Sequence, residues 1–340
     1  MNSGISFKLS GPFLLGDIGG TNARFSMICS HKSDKQVFPT DKVSDFQNID
    51  DVIEQRVLPF AREKPQSLVL AVAAPVEGNI IPLTNSHWFI DVRSLIKRFG
   101  FKNVLVINDF EAQALATIAL DETHLEKIGN GMATEHGSRV VLGPGTGLGV
   151  AGIVYADERY LPVAGEGGHV DFTVRTARDI ALFPYFLHNQ GRVSVEEILS
   201  GRGLVGIYHA ICTVDDIKAE FDKADAITDA AHYENQPQAK EAVELFLTYL
   251  ARLAGDFALT FKAHGGVYIG GGIIPKIMRL IDKESFRAQF EDKAPHQNLL
   301  STMPVYIMIH PQAALEGMAV FACKPENFLL DYHNRLWTAG

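Results

Sequence analysis

Carboxylates, amides and small hydroxyls in this 340-residue chain recur at the ends of apolar runs. The first such place is Gly16-Asp17-Ile18-Gly19-Gly20-Thr21, led by Leu14-Leu15 and followed by Phe25-Ser26-Met27-Ile28. Glycines between two apolar runs predict a hairpin whose turn uses the positive φ that glycine permits. Backbone N–H groups at such a tip point outward and suit phosphate oxygens. Asp17 adds a carboxylate able to hold Mg²⁺ through its water shell, and Thr21 adds a hydroxyl donor. The plainer alternative is a hairpin whose glycines only turn the chain. The device recurs at Gly145-Thr146-Gly147, between Val140-Val141-Leu142 and Leu148–Val154. A third glycine run, Gly270-Gly271-Gly272, follows Val267-Tyr268-Ile269 and precedes a predicted helix start at Ile273-Ile274-Pro275. A helix N-terminus flanked by glycines favours an anionic or flat ligand such as adenosine.

Two further groups could do proton or hydroxyl chemistry. Asn108-Asp109 ends the apolar run Val104–Ile107 and precedes an alanine-rich helical stretch, Glu111–Leu120. Ligands of open α/β sheets lie beyond the carboxyl ends of strands. Asp109 can there accept a proton from an attacking hydroxyl, or it can cap the helix. Glu166 and His169 share the loop Gly165–His169, and Glu196 and Glu197 follow Ser194 in a capping pattern. A carboxylate accepts hydrogen bonds from two vicinal hydroxyls at once, so this set suits a sugar. His169 with Asp171 could instead ligate a metal, or His169 could be a solvated loop residue. Adjacency leaves Glu196 and Glu197 undistinguished.

The elements that must position these groups are legible in the spacing of apolar residues. Ser67–Val76 is a buried strand of the parallel type. Asn48–Lys64 has helical spacing that Pro59 kinks or ends. Asp91 caps a short helix, Val92–Phe99. Asp121–Gly137 is polar and is the candidate hinge, and Asp215–Lys240 reads as broken surface helices. Glu241–Lys262 carries the longest apolar stripe, and Val305–Ile309 and Ala313–Ala322 are a last strand and a last helix. Two stretches fit G-x-G-x-x-G, at Gly147–Gly152 and Gly201–Gly206. The first leads into a strand and the second follows a helix, so neither has the strand-before, helix-after context of a dinucleotide site. Two phosphate-type hairpins in separate halves predict a duplicated α/β core with a nucleotide between the halves.

Length predicts about two domains. A net charge of −9 speaks against nucleic acid as the main partner. Cys29, Cys212 and Cys323 have neither disulfide-like nor metal-ligand spacing, which suits a reducing cytoplasm. No secretory signal is visible, and no apolar run approaches the roughly 18 residues that would span a bilayer.

The words Gly-Asp-Ile-Gly-Gly-Thr-Asn-Ala-Arg from Gly16, Ile-Asn-Asp-Phe-Glu-Ala from Ile107 and Gly-Glu-Gly-Gly-His-Val-Asp-Phe from Gly165 carry a family resemblance. With the two hairpins they resemble the actin-like ATPase and hexokinase superfamily, and within it the bacterial-type glucokinases, from Leu14 to about Ala322. The resemblance implies a two-domain α/β fold of the ribonuclease H-like, actin-like type, with the active site in an interdomain cleft. It implies a small domain of residues 1–120 plus 310–340 and a large domain of residues 121–309. It implies ATP- and Mg²⁺-dependent phosphorylation of glucose in the cytoplasm by a homodimer. Asp109 would be the base, with Asn108, Glu166, His169 and Glu196 holding the sugar and Thr84, Asn85 and Pro75 lining the pocket. Gly16–Thr21, Gly145–Gly147 and Gly270–Gly272 would hold the nucleotide. Related ROK kinases bind zinc through this histidine and a Cys-x-Cys-Gly-x-x-Gly-Cys cluster. This sequence lacks the cluster, so no structural zinc is expected. A kinase for another hexose and a non-catalytic sugar-responsive regulator remain as alternatives. The short stretch before Leu14 has no room for a regulator's helix-turn-helix. An actin-like filament or chaperone ATPase need not carry the sugar set.

Overall fold

The structure, a computed structural model, describes residues 9–29, 35–84, 86–187, 191–233 and 236–339. Asn85 lies outside the described residues. The chain divides into two compact units. The first contains Met1–Asp121, Tyr155–Ala164 and His310–Gly340, and the second Glu122–Val154 and Gly165–Ile309. The sequence placed residues 121–309 in one domain, whereas Tyr155–Ala164 groups with the first unit. The cause is local. The Tyr160 carbonyl accepts from Leu329 N at 2.8 Å, and the Tyr160 ring lies 6.2 Å from that of Phe328.

In the first unit, Phe13–Ile18 pairs antiparallel with Asn22–Ile28 and parallel with Ser67–Val72. Ser67–Val72 in turn pairs parallel with Asn103–Asn108, and Leu336–Thr338 lies antiparallel along that strand. Ser67–Val72 is buried at every position, as a parallel strand covered on both faces must be. The helices Asp109–Ala119 and Ala313–Cys323 pack on one another. Gly317 makes this possible, because a Cβ there would lie 2.3 Å from the Ala112 carbonyl. The core gathers Phe25, Ile49, Val52, Leu70, Trp88 and Val106, all nearly or fully buried.

The second unit repeats the plan. Arg139–Pro144 pairs antiparallel with Leu148–Ala156 and parallel with Gly266–Ile269, which pairs parallel with Val305–Met308. Leu125–Ile128 lies antiparallel on the last of these. This strand falls within the polar stretch expected to be a hinge. An edge strand exposes polar residues on its free side, which gives it the composition of a linker. The helix Pro237–Phe261 buries Phe246, Leu250 and Ala254. It starts earlier than its apolar stripe because proline suits the first helical turn.

Two other helices differ from the sequence pattern. Asn48–Lys64 forms only an α-helical turn at Ile49–Val52, a widened turn at Ile53–Val57 and a tight turn at Leu58–Phe60. Pro59 lacks the N–H and crowds the preceding turn, so the regular ladder fails before it. After Gly270–Gly272 the α-helix is only Ile274–Ile277, followed by a tight turn at Met278–Leu280.

Candidate active site

In the first unit the hairpin turns through Gly19-Gly20-Thr21, and Gly19 N donates to the Asn22 carbonyl at 3.0 Å. Neither glycine has positive φ, nor does Gly145 or Gly147, so the turn geometry is not what calls for glycine. A Cβ on Gly19 would have only the Asn22 carbonyl near it, at 3.7 Å, and one on Gly145 only the Gly147 carbonyl, at 4.0 Å. The space in front of both backbones is open on the protein side. A side chain there would stand in that open space and meet no close protein atom. Gly16 differs, since a Cβ would meet Leu70 Cδ2 at 2.7 Å and Phe25 at 2.8 Å, so packing explains it. Ile18 is fully buried and can offer only backbone, while Thr21 is exposed.

Asp17 faces Arg24 across the hairpin, and Arg24 Nη1 donates to Asp17 Oδ2 at 3.2 Å. Burial pushes the Asp17 carboxyl above its ordinary value, and Arg24 pulls it partly back. Asp109 is the first residue of its helix, not the cap. Asn108 is the cap: its Oδ1 accepts from Phe110 N at 2.9 Å, and Glu111 Oε2 accepts from Asn108 N at 3.0 Å. Asp109 Oδ1 also accepts from Phe110 N, at 3.0 Å. Burial pushes Asp109 up to about 7; the Asp17 carboxylate adds to the rise, and the Phe110 N–H offsets part of it. Two half-buried, mutually repelling carboxylates are a setting a divalent cation relieves. Among the described residues no three His, Cys, Asp or Glu side chains form a metal cage. Mg²⁺ is ordinarily held by one or two carboxylates plus phosphate and water, so the donor set fits it.

In the second unit Gly145-Thr146-Gly147 makes the matching turn, closed by Gly145 N donating to the Gly147 carbonyl at 2.8 Å. Thr146 is exposed. Gly147 is needed for close approach, because a Cβ would lie 2.5 Å from Glu196 Oε2. That oxygen accepts from Leu148 N at 3.0 Å, and Glu196 Oε1 pairs with Arg202 Nη2 at 2.9 Å. Glu197 is engaged elsewhere: its Oε2 accepts from Ser194 N at 2.7 Å in a capping box. Of the two glutamates, Glu196 is therefore the one directed at the turn. Glu166 and His169 are exposed and 3.9 Å apart. Their loop lies tightly on the strand that follows the turn, since a Cβ on Gly168 would be 2.1 Å from the Leu148 carbonyl. Leu148 thus supports Glu196 through its N–H and the Glu166–His169 loop through close contact at its carbonyl.

Gly270 N donates to the Leu142 carbonyl at 2.9 Å, which seats the third glycine run on the strand leading to the turn. Gly271 has φ +87°, and a Cβ would lie 2.4 Å from the Pro144 carbonyl, while Gly272 has open space before it. The helix that follows is a single turn, so the dipole expected to favour an anion is largely lost. What remains is an open glycine backbone against which a flat group can lie. Pro75 and Thr84 are exposed, with Thr84 N donating to the Ala73 carbonyl at 3.2 Å.

Four residues with a part in this geometry were not singled out from sequence. Arg24 was findable, because hairpin register places it opposite Asp17. Glu111 was findable from the Asn-x-x-Glu capping pattern. Arg202 and Arg335 act through tertiary contacts that no local pattern announces.

Comparison with known proteins bears on the whole chain. The Glucokinase family model matches residues 14–325. The chain is similar to the glucokinase of Agrobacterium fabrum (strain C58 / ATCC 33970), 50% identical over 331 residues and 97% of each chain. Among solved structures it is similar to a glucokinase from an Antarctic psychrotroph. The TM-score is 0.81 and the identity 31%, over 94% of this chain and 100% of the other. A ROK family glucokinase from Streptomyces griseus, solved with glucose and AMPPNP, shares the fold at TM-score 0.62 and 20% identity. That match covers 92% of this chain and 100% of the other. The duplicated α/β architecture is thus that of the actin-like ATPases.

Proposed function

This chain belongs to the glucokinase family, and on that premise we propose how its own residues carry the reaction. The reaction is ATP-dependent phosphorylation of D-glucose to glucose 6-phosphate. Asp109 accepts the proton of the 6-hydroxyl as that oxygen bonds to the γ-phosphorus of ATP and the bond to the β–γ bridging oxygen breaks. Asn108 fixes the first turn of the helix and keeps its amide N–H₂ for a sugar hydroxyl. Glu166, His169 and Glu196 take hydroxyls that do not react. The turns Gly19-Gly20-Thr21 and Gly145-Thr146-Gly147, open at Gly19 and Gly145, take phosphate oxygens, and Gly270–Gly272 lie against adenosine. Asp17 would hold Mg²⁺ through water, and the ion would supply charge neutralisation at the phosphates.

The observation that carries this reading is Asp109 itself. Its carboxyl stands at the end of a buried parallel strand and is pushed up to about 7, while the capping role falls to Asn108. A base with such a value is matched to neutral pH. No helix among the described residues is long and apolar enough to cross a membrane. Family membership supports a cytoplasmic homodimer. The test is ADP release with and without glucose, with Mg²⁺ present and then chelated. ADP should form with glucose and Mg²⁺ together and fall to background when either is withheld. Equal ADP release without sugar would replace the kinase reading with a plain ATPase.

A further inference from the structure

Glu111 is a buried carboxylate whose charge the helix does not need. Its side chain is 3% exposed, and its capping bond from Asn108 N would be made equally well by a glutamine. A buried charge is costly unless it is paired and hydrogen-bonded. The partner is Arg335, 224 residues away in sequence, whose Nη1 reaches Glu111 Oε1 at 2.7 Å and Oε2 at 3.0 Å. One oxygen of Glu111 therefore receives both the guanidinium and the N–H of Asn108, the residue before Asp109. The Arg335 backbone is fixed independently. Its carbonyl accepts from Val106 N at 2.9 Å, and Leu336–Thr338 pairs with the strand leading to Asn108. Trp337 Nε1 adds a bond to Asn79 Oδ1 at 2.7 Å. The tail is thus docked whether or not the Arg335 side chain is present.

We propose that Arg335 is a positioning residue for phosphoryl transfer, acting through Glu111 to hold the Asn108–Asp109 turn, a role that rests on Asp109 being the base. Arg335 holds the Glu111 carboxylate in the orientation that faces Asn108 N. Without the guanidinium, the Glu111 side chain loses its only charged partner among the described hydrogen bonds and turns away from Asn108 N. Asn108 N then loses its acceptor, and the first helical turn relaxes together with the Asp109 carboxylate. A displacement of about 1 Å at a reacting group can cost on the order of 10²-fold in rate.

The test is steady-state kinetics on Arg335→Met, Arg335→Lys, Glu111→Gln and the double variant Arg335→Met/Glu111→Gln, each with its melting temperature. Arg335→Met should lower kcat by ~10²-fold with the KM values for glucose and ATP within a few-fold of the parent. Arg335→Lys should recover part of the loss, since it restores a charged donor but not the reach and planarity that place Nη1 between the two oxygens. The double variant should recover most of it, because a neutral amide oxygen accepts from Asn108 N and needs no counter-charge. The double variant also keeps the proposal falsifiable if Arg335→Met folds poorly. Unchanged kcat in Arg335→Met with only a lower melting temperature would overturn the proposal, as would a double variant no faster than Arg335→Met. Asp109→Asn is measured alongside. If it keeps the parent kcat, the base assignment itself has failed. If it is slow while Arg335→Met is not, only the role of Arg335 has failed.

Discussion

Asp109 draws its chemistry from burial and from a neighbour of like charge. Both favour its protonated form, so its value in the fold, about 7, stands well above the ordinary 3.8. As the proposed base, Asp109 is active as the carboxylate, a form lost as pH falls through about 7. For stability the sign is the reverse of the usual aspartate case. The stability this group contributes is complete below pH 3.8 and is lost as pH rises through about 7. Asp109→Asn removes that cost and leaves the Asn108–Glu111 capping box untouched. The substrate-free variant should melt higher than the parent at pH 8. The advantage should grow from about pH 4 to pH 7 and then level off, which melting curves across pH would follow. A lower melting temperature at pH 8 would mean that Asp109 is a structural cap after all. The two glutamates of the second unit show how one residue's spacing decides its contacts. Glu197 stands three residues after Ser194 and is consumed in capping, whereas Glu196, one position earlier, reaches the second turn.

At the scale of elements, the hairpins, the parallel strands and the places where they end were legible from apolar runs and turn residues. The reason for the glycines was not. Sequence assigns them to positive φ, yet Gly19 and Gly145 have ordinary backbone and open space before them, while Gly16 and Gly147 are dictated by close neighbours. Which of these applies is a tertiary property, because it depends on what stands opposite the glycine. Gly19→Ala separates them. The fold should accept the methyl group, with the nearest atom 3.7 Å away and no strained φ, so melting should move little. The KM for ATP should rise by about 10-fold, a loss of about 1.4 kcal/mol, comparable to one weakened charge-assisted hydrogen bond. An unchanged KM would make the first turn merely structural. Helix lengths were the least legible feature. The apolar spacing of Asn48–Lys64 continues across Pro59, but the backbone hydrogen bonds do not. The helix after Gly272 has apolar residues enough for several turns and keeps one.

At the scale of the whole molecule, each unit uses one plan: a hairpin, two parallel strands beside it, and an antiparallel edge strand. The repeated Gly/Thr turns disclosed that duplication from sequence. The long-range pairs did not disclose themselves, because Arg335 and Glu111 meet only once the last strand has joined the sheet. The duplication gives each unit an open-backbone turn, and among the described residues only the first unit adds a raised carboxylate at the end of a parallel strand. That asymmetry is what supports the proposed assignment of the chemical step to Asp109. The most direct measurement is kcat of Asp109→Asn at pH 8 with saturating glucose and Mg-ATP, together with glucose affinity by calorimetry. Loss of a general base predicts a kcat lower by ~10²–10⁴-fold, with glucose affinity changed no more than a few-fold. A kcat close to the parent's, or a loss confined to glucose binding, would contradict the account and move the base elsewhere.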